Sequence, residues 1–297
     1  MSTAKAEPFK NPIRRDDRQR TVDPVEYGSF VARPVTPVIG AELEGLDLGQ
    51  DLNSQQAADI RAALLEFQVL FFRGQNMTME QHKNLGRLFG DLHCHPSIPG
   101  PEGHPEILML HSDKDRPGAA SAWHSDVSCD QIPNLGSILY GKVVPVAGGD
   151  TCWASMYEAY DALSASMQAF LSGLTAIHES EHVYGRIKGS VENYPAAEHP
   201  VVRTHPETGR HALYVNSVFT TGIKELNEAE GRSLLEFLFR HIETPEFQVR
   251  FHWEPNSVAF WDNRCTQHRA TADFFPQTRT MQRVTIAGTD RPAYRPG

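Results

Sequence analysis

The segment Trp123-His124-Ser125-Asp126 places an imidazole and a carboxylate two positions apart, a spacing that could serve metal binding. In an extended backbone, residues two apart point to the same side, so His124 and Asp126 could meet at one point. Alone, such a pair is more often a surface histidine beside a solvated aspartate. A second imidazole, His268, lies far downstream. Two histidines and one carboxylate form the ligand set that leaves positions open on non-haem Fe(II).

Two arginines four residues apart, Arg279 and Arg283, are candidates for binding an anion. In a strand, both would point to the same face as Met281, toward an apolar interior. A buried guanidinium is costly unless an anion meets it, and it binds carboxylate or sulfonate through paired hydrogen bonds. An alternative of equal weight places both arginines on the solvent face of an edge strand or in salt bridges.

Helices are predicted where a capping residue precedes apolar residues at helical spacing. The first begins at Asn53 or Ser54, the second runs from Thr78 to Gly90, and the third begins at Asn227. Ser155 is a further candidate N-cap. The predicted apolar faces comprise Ile60, Leu64 and Phe67 in the first helix and Leu234, Leu238 and Ile242 in the third.

Strand patterns outnumber helical ones, mostly in the C-terminal two-thirds of the chain. The run at 69–72 is continuously apolar, as in a fully buried strand, and residues 247–253 alternate apolar and polar. Further strands are predicted at 211–215, 257–261 and 280–287. These patterns favour a β-sandwich or barrel with flanking helices, which could bring strand ends distant in sequence to one place.

Composition narrows the class of protein. The 297 residues carry 28 Lys and Arg against 37 Asp and Glu, a net charge of −9, which argues against a nucleic-acid binder. No apolar run is long enough to cross a bilayer, and the first residues lack the apolar region of a secretory signal. Four cysteines without close spacing are typical of reduced thiols, so we expect a cytoplasmic protein. Residues 1–28 are polar and predicted to be a flexible arm, followed by one domain over 29–297.

The order of these motifs resembles the taurine dioxygenase and 2,4-D dioxygenase family of Fe(II)- and 2-oxoglutarate-dependent oxygenases, nearest the taurine dioxygenase branch. The motifs that carry the resemblance are His124-x-Asp126, Gly148-Gly149-Asp150-Thr151, Trp261-Asp262-Asn263-Arg264, Gln267-His268, Arg279 and Arg283. The resemblance extends over about residues 30 to 297. It implies a mainly β fold with flanking helices around a double-stranded β-helix, or jelly-roll, core.

The resemblance also implies roles for single residues. His124, Asp126 and His268 would be the catalytic iron ligands, while Arg279, assisted by Thr151, would bind the distal carboxylate of 2-oxoglutarate. Arg283 would lie near 2-oxoglutarate and meet an anionic substrate. Iron, 2-oxoglutarate and O2 would be the cofactor and co-substrates, and succinate and CO2 would be released. The substrate side would comprise His95, Ile98, Ala120, Tyr184, Phe219 and Arg283.

Three of these positions depart from taurine dioxygenase. Ile98 stands where that branch has a tyrosine, Ala120 where it has an asparagine, and Tyr184 corresponds to a pocket phenylalanine. Losing a phenol and an amide removes polar contacts suited to a small zwitterion, and such contacts strongly decide selectivity. These departures favour a small anionic substrate more apolar than taurine, and the resemblance implies hydroxylation of an unactivated C–H bond in it.

Several alternatives stay open. Sulfonate or aryloxyalkanoate cleavage by hydroxylation next to the heteroatom belongs to the same chemistry. A zinc-dependent hydrolase on a cupin-like barrel could share the three ligands but leaves Arg279 and Thr151 without a role, and a non-catalytic binding protein would be expected to lose a ligand. The predicted partner is a small molecule, with no nucleic acid and no membrane, and the family resemblance implies a homo-oligomer, a dimer or tetramer.

Overall fold

The computed structural model describes residues 22–95, 98–118, 121–185 and 193–296. Within these ranges the chain is mainly β, and its few helices flank the sheets. The helices are α1 (Ser54–Phe67), α2 (Met79–Arg87), α3 (Met156–Asp161), α4 (Ala165–Leu171), α5 (Glu181–Tyr184) and α6 (Glu228–Ile242), with a short 3-10 helix at Pro245–Phe247.

The predicted helix starts are confirmed, and the local hydrogen bonds explain them. Asn53, Thr78 and Asn227 each cap a helix through a complete capping box with the third helical residue. The predicted end of α2 at Gly90 is wrong, because the helix stops at Arg87. The following backbone hydrogen bonds span three residues instead of four: Leu88 N–H donates to the Leu85 carbonyl, and Phe89 N–H donates to the Gly86 carbonyl. The predicted apolar face of α6 is confirmed, since Leu238 and Ile242 are buried and Leu234 packs half-buried against the same core. Leu235, which was not predicted, is buried as well.

One large sheet carries most of the structure that supports the site. Its strand order is β1-β2-β3-β4-β15-β7-β17-β5, with β6 also paired to β17, and only the β3–β4 pair is parallel. Its strands are β1 (Val25–Tyr27), β2 (Phe30–Pro34), β3 (Ala41–Glu44), β4 (Val69–Phe72), β5 (Leu92–His93), β6 (Ile107–Ser112), β7 (Gly136–Val143), β15 (Val258–Asp262) and β17 (Arg279–Ile286).

Three smaller sheets complete the fold, in the orders β14-β8-β16, β10-β9-β13 and β11-β12. Their strands are β8 (Thr151–Ser155), β9 (Thr175–Glu179), β10 (Ala196–Pro200), β11 (Val202–Thr204), β12 (His211–Leu213), β13 (Thr220–Ile223), β14 (Gln248–Phe251) and β16 (Thr266–Ala270).

The sheet β14-β8-β16 faces the large sheet across a shared apolar core. Phe71 of β4 stacks on Phe251 of β14 with ring centroids 4.1 Å apart, and Trp153 of β8 meets Trp261 of β15 at 5.7 Å. Met281 of β17 is fully buried in the same cluster. Two sheets packed in this way form the double-stranded β-helix core that the sequence predicts, and the side chains between them fix the separation of the strands that carry the site.

The N-terminal strands were not expected from the sequence. β1, β2 and β3 extend the large sheet before the first helix, and β1 lies inside the segment 1–28 that was predicted to be an arm. Residues 1–21 of that predicted arm lie outside the described residues. Among the helices of the described ranges, none has the length and apolar character needed to cross a membrane.

Candidate active site

His124, Asp126 and His268 converge, although they lie far apart in the sequence. Each offers one ligand atom, and these atoms lie within 4.8 Å of one another. His124 and His268 form an isolated antiparallel bridge, in which the His124 N–H donates to the His268 carbonyl at 3.1 Å and the reverse bond is 2.8 Å long. Their ring centroids are 4.3 Å apart. The backbone itself therefore brings the first histidine to β16, which carries the second.

Two neighbours that the sequence did not identify as functional residues hold Asp126, Asn263 through the Asp126 backbone and Ser137 through the Asp126 carboxylate. The side chain of Asn263 accepts the Asp126 N–H at 2.7 Å and donates to the Asp126 carbonyl at 2.9 Å. Ser137 Oγ donates to Asp126 Oδ2 at 3.0 Å, while Oδ1 lies 3.8 Å from His124 Nε2. One carboxylate oxygen is thereby fixed toward the imidazoles. Asn263 belongs to the Trp261–Arg264 motif, and its place in that motif was the sequence feature that could have identified it.

Both imidazoles suit metal ligation. The Nδ1 of His124 lies 2.9 Å from the Ala122 carbonyl, which can only accept, so Nδ1 donates, and Nε2 is the nitrogen on the side of Asp126, 3.8 Å from its Oδ1. Burial, and then the neighbouring His124, lower the pKa of His268 to about 3, and its Nδ1 is buried without a hydrogen-bond partner in the described part of the chain. Two imidazoles beside a carboxylate fit the donor set of non-haem Fe(II).

Arg283 lies against the carboxylate of this triad. Its Nη1 donates to Asp126 Oδ1 at 2.8 Å. Burial opposes ionisation of Asp126, but the Arg283 guanidinium, followed by the two histidines, outweighs it and holds the pKa of Asp126 well below its usual range. Asp126 is therefore a carboxylate at neutral pH. Within the described ranges, Arg283 Nε is buried and has no hydrogen-bond partner, so this guanidinium keeps one donor for a further anion.

Arg279 and Thr151 lie next to each other. Arg279 is 8% exposed, its Nε donates to the Gly149 carbonyl at 3.0 Å, and its Nη2 lies 3.5 Å from Thr151 Oγ1. Burial lowers the pKa of Arg279 to about 10, with Asp150 acting in the opposite direction. Among the described residues, no carboxylate forms an ion pair with Arg279. A buried guanidinium without a counter-ion fits the distal carboxylate of 2-oxoglutarate.

The turn before Thr151 requires glycine. Gly148 and Gly149 have φ values of 77° and 69°, and a Cβ at Gly148 would lie 2.9 Å from the Asp273 carbonyl oxygen. A Cβ at Gly149 would lie 3.2 Å from Arg279 Cδ. The Gly148-Gly149 pair therefore lets the chain pass closely under the guanidinium, and this accounts for the motif that precedes Thr151.

Three of the predicted substrate residues line one small cavity together with a histidine that was not predicted. A small cavity is lined by His93, His95, Ile98, Val127 and Arg283, among others. His93 was not predicted as a substrate residue; it is the last residue of β5 and lies two positions before His95. Among the residues that the structure describes, none is hydrogen-bonded to the buried His93 Nε2. Burial, followed by Arg283, lowers the pKa of His95.

An apolar aromatic wall adjoins this cavity. Tyr184, Phe219 and Cys129 form one buried cluster, and the Tyr184 and Phe219 ring centroids are 6.2 Å apart. The Tyr184 ring also lies 6.1 Å from His95, at 80° between planes. The structure therefore brings five of the six predicted substrate residues into one region. The sixth, Ala120, lies outside the described residues.

A second cluster of potential ligand atoms is already satisfied. His205, Asp262 and Cys265 also lie within 4.8 Å of one another. Both oxygens of Asp262 accept from Arg264, at 2.9 and 2.6 Å, and His205 Nε2 lies 3.1 Å from Oδ2. This network holds the turn that contains Asn263, so we assign it a structural role.

Comparisons with known proteins identify the family of the chain. Residues 32–285 match the family described as "Taurine catabolism dioxygenase TauD, TfdA family". An alpha-ketoglutarate-dependent sulfate ester dioxygenase of Pseudomonas putida is 36% identical over 86% of this chain and 88% of that protein. A taurine dioxygenase structure from Burkholderia xenovorans is 40% identical, with a TM-score of 0.80 over 90% of this chain and 91% of that one. The structure of AAD-2 in complex with Mn(II) and N-oxalylglycine is 28% identical, with a TM-score of 0.79 over 89% of this chain and all of that one.

Proposed function

We propose that this chain, which belongs to the TauD/TfdA family and is an Fe(II)- and 2-oxoglutarate-dependent dioxygenase, hydroxylates alkyl sulfate esters at the carbon next to the ester oxygen. In this proposal His124, Asp126 and His268 hold the iron, and Arg279 and Thr151 hold the distal carboxylate of 2-oxoglutarate. Bound iron, with 2-oxoglutarate and O2, supplies the oxidation of an unactivated C–H bond, with release of succinate and CO2.

The observation that carries the substrate proposal is a pair of nitrogen atoms beside the triad. Within the described residues, Arg283 Nε and His93 Nε2 are buried and have no hydrogen-bond partner, and both side chains line the cavity. A guanidinium donor beside an imidazole suits an anionic head group such as a sulfate ester. The relationship to the sulfate ester dioxygenase of Pseudomonas putida supports the same head group.

The rest of the pocket supports an apolar chain on this head. Ile98 lies where taurine dioxygenase has a tyrosine, and Val127, Tyr184 and Phe219 provide apolar surface beside it. A pocket of this kind recovers the free energy of burying methylene groups, about 0.8 kcal/mol each, and gains nothing from the ammonium group of taurine. The selectivity therefore favours an alkyl sulfate over a small zwitterion.

The products follow from the chemistry of the substrate. Insertion of one oxygen atom at the carbon next to the ester oxygen yields a hydroxylated ester, R–CH(OH)–OSO3⁻. Its hydroxyl proton and its C–O bond to sulfate are lost together, which gives an aldehyde and hydrogen sulfate. The second oxygen atom of O2 is incorporated into succinate. The residues of the chain bind the sulfate head group, hold the C–H bond near the triad and exclude water.

Hydrolysis by a zinc ion bound to the same three side chains is not favoured, because it would leave Arg279 and Thr151 without a role.

The test is an aerobic incubation with Fe(II), ascorbate and 2-oxoglutarate. Hexyl sulfate, hexanesulfonate, hexanoate and taurine are compared, and succinate, sulfate, sulfite and aldehyde are measured. We expect equal amounts of succinate, sulfate and aldehyde from hexyl sulfate. The Ile98→Tyr variant should form less of these products from hexyl sulfate than the wild type does. Succinate formation with hexanesulfonate or hexanoate but not hexyl sulfate would refute the head-group assignment. Sulfate release without O2 would refute the oxidative route.

The cytoplasm as location and a homo-oligomeric assembly, dimer or tetramer, are part of the same proposal. Four cysteines without close spacing support the first, and the family relationship supports the second. Sedimentation of the full chain measures the second directly.

A further inference from the structure

Trp253 lies directly behind Thr151, the residue proposed to assist Arg279. Its indole Nε1–H donates to Thr151 Oγ1 at 3.0 Å, and its side chain is 2% exposed. The ring packs edge-on against Phe251, with centroids 5.0 Å apart. A Cβ at Gly141 of β7 would lie 3.3 Å from Trp253 Cε3, so the backbone confines the ring on that side. The indole donor is therefore held rigidly against the threonine.

The hydrogen bonds around Thr151 determine the direction of its hydroxyl. A threonine hydroxyl carries one donor hydrogen and two acceptor lone pairs, whereas indole and guanidinium nitrogens only donate. Trp253 Nε1 and Arg279 Nη2, at 3.0 and 3.5 Å, are both donors, so Thr151 accepts from each of them. No described protein group accepts from Thr151 Oγ1. Its single hydrogen is thus left for an acceptor that enters the pocket.

We propose that Trp253 is a positioning residue for 2-oxoglutarate, which acts by fixing the Thr151 hydroxyl as a donor toward the distal carboxylate. This inference rests on the proposed role of Thr151 and Arg279. Without the indole N–H, the hydroxyl has an unfilled lone pair, can rotate, and loses the polarisation that strengthens a chain of hydrogen bonds. Trp253 itself needs no contact with the co-substrate.

Equilibrium binding of N-oxalylglycine to the Mn(II)-loaded full chain, measured by calorimetry, tests this without turnover. Trp253→Phe removes the donor and keeps an aromatic ring. We expect about 3- to 10-fold weaker binding, the range for one neutral hydrogen bond, and about 10- to 100-fold for Thr151→Val, which loses a bond to a charged group. The double variant should bind no more weakly than Thr151→Val alone, because Trp253 acts through that hydroxyl.

Trp153→Phe is the matched control. Trp153 is as deeply buried as Trp253, but its indole N–H has no hydrogen-bond partner among the described residues, and its ring packs against Phe71 and Trp261 in the core. This variant should lose a similar amount of packing and keep N-oxalylglycine binding within about 2-fold of the wild type.

The outcomes separate the inference from the proposed function. Unchanged binding in Thr151→Val refutes the proposed role of Thr151. Weakened binding in Thr151→Val with unchanged binding in Trp253→Phe overturns the inference alone, as does an equal effect of Trp253→Phe in both backgrounds. If Trp253→Phe does not fold, the assigned indole N–H resonance of Trp253 in the Zn(II)-loaded wild type decides. It should move upfield in Thr151→Val, and an unchanged resonance would overturn the inference.

Discussion

Removing the Asn263 side chain should weaken both the fold and the metal site. Asn263 is 1% exposed, and its amide makes three hydrogen bonds, to the N–H and carbonyl of Asp126 and to the carbonyl of Asn134 at 3.2 Å. At about 1 kcal/mol of net stability for each bond, Asn263→Ala should cost about 3 kcal/mol in the free energy of unfolding. For a chain of this size, that corresponds to a fall in Tm of roughly 6 °C.

The same substitution releases the backbone of a proposed metal ligand. Groups that orient a ligand without touching the metal typically contribute 10- to 100-fold to affinity, so we expect Mn(II) binding to weaken by about that factor. Thermal unfolding and Mn(II) titration by calorimetry measure the two effects separately.

Asn227→Ala is a control that destabilises the chain away from the site. Asn227 caps α6 by accepting the Glu230 N–H at 3.1 Å, and its loss should cost about 1 kcal/mol with Mn(II) affinity unchanged. Wild-type Mn(II) affinity in Asn263→Ala would refute the reasoning. So would a loss of affinity of the same size in Asn227→Ala, because it would show that any destabilisation weakens metal binding.

Three further predictions concern the ligands, the co-substrate and the buried ion pair. Asp126→Ala and His268→Ala should each abolish succinate release, and turnover in either, measured by succinate detection, would contradict the ligand set. Arg279→Ala should raise the KM for 2-oxoglutarate at least 10-fold, and an unchanged KM would contradict its role. Burial opposes ionisation of Asp262, but the Arg264 guanidinium lowers the pKa of this carboxyl in the folded state. The ion pair therefore stabilises the fold at pH values above about 4, the pKa of an unfolded aspartate, and this stabilisation is lost at lower pH. Arg264→Met should therefore cost about 3–5 kcal/mol at pH 7 and less at pH 4.5, where the lone carboxyl takes up a proton; a constant Tm difference between these pH values would contradict the sign.

The features predicted correctly from sequence were those determined locally or by ordered motifs. A capping box needs only residues three apart, so the starts of α1, α2 and α6 follow from Asn53, Thr78 and Asn227. The continuous apolar run of β4 reflects its burial on both faces. The family resemblance predicted the jelly-roll core.

What the sequence did not reveal depends on contacts between distant segments. The short strand β1 is recognised only through its pairing with β2, since three residues carry little periodicity of their own. The Asn263 amide meets Asp126 only because the turn after β15 is folded against the first ligand segment. The contact of Arg283 with Asp126 likewise joins β17 to a segment 157 residues away in the sequence.

The residues proposed to bind iron and 2-oxoglutarate are tested most directly by anomalous diffraction from anaerobic crystals grown with Mn(II) and N-oxalylglycine. We expect one metal peak bonded to His124, Asp126 and His268, with the distal carboxylate of the analogue against Arg279 and Thr151. A peak that lacks any of the three ligands, or an analogue whose distal carboxylate does not reach Arg279, would contradict it.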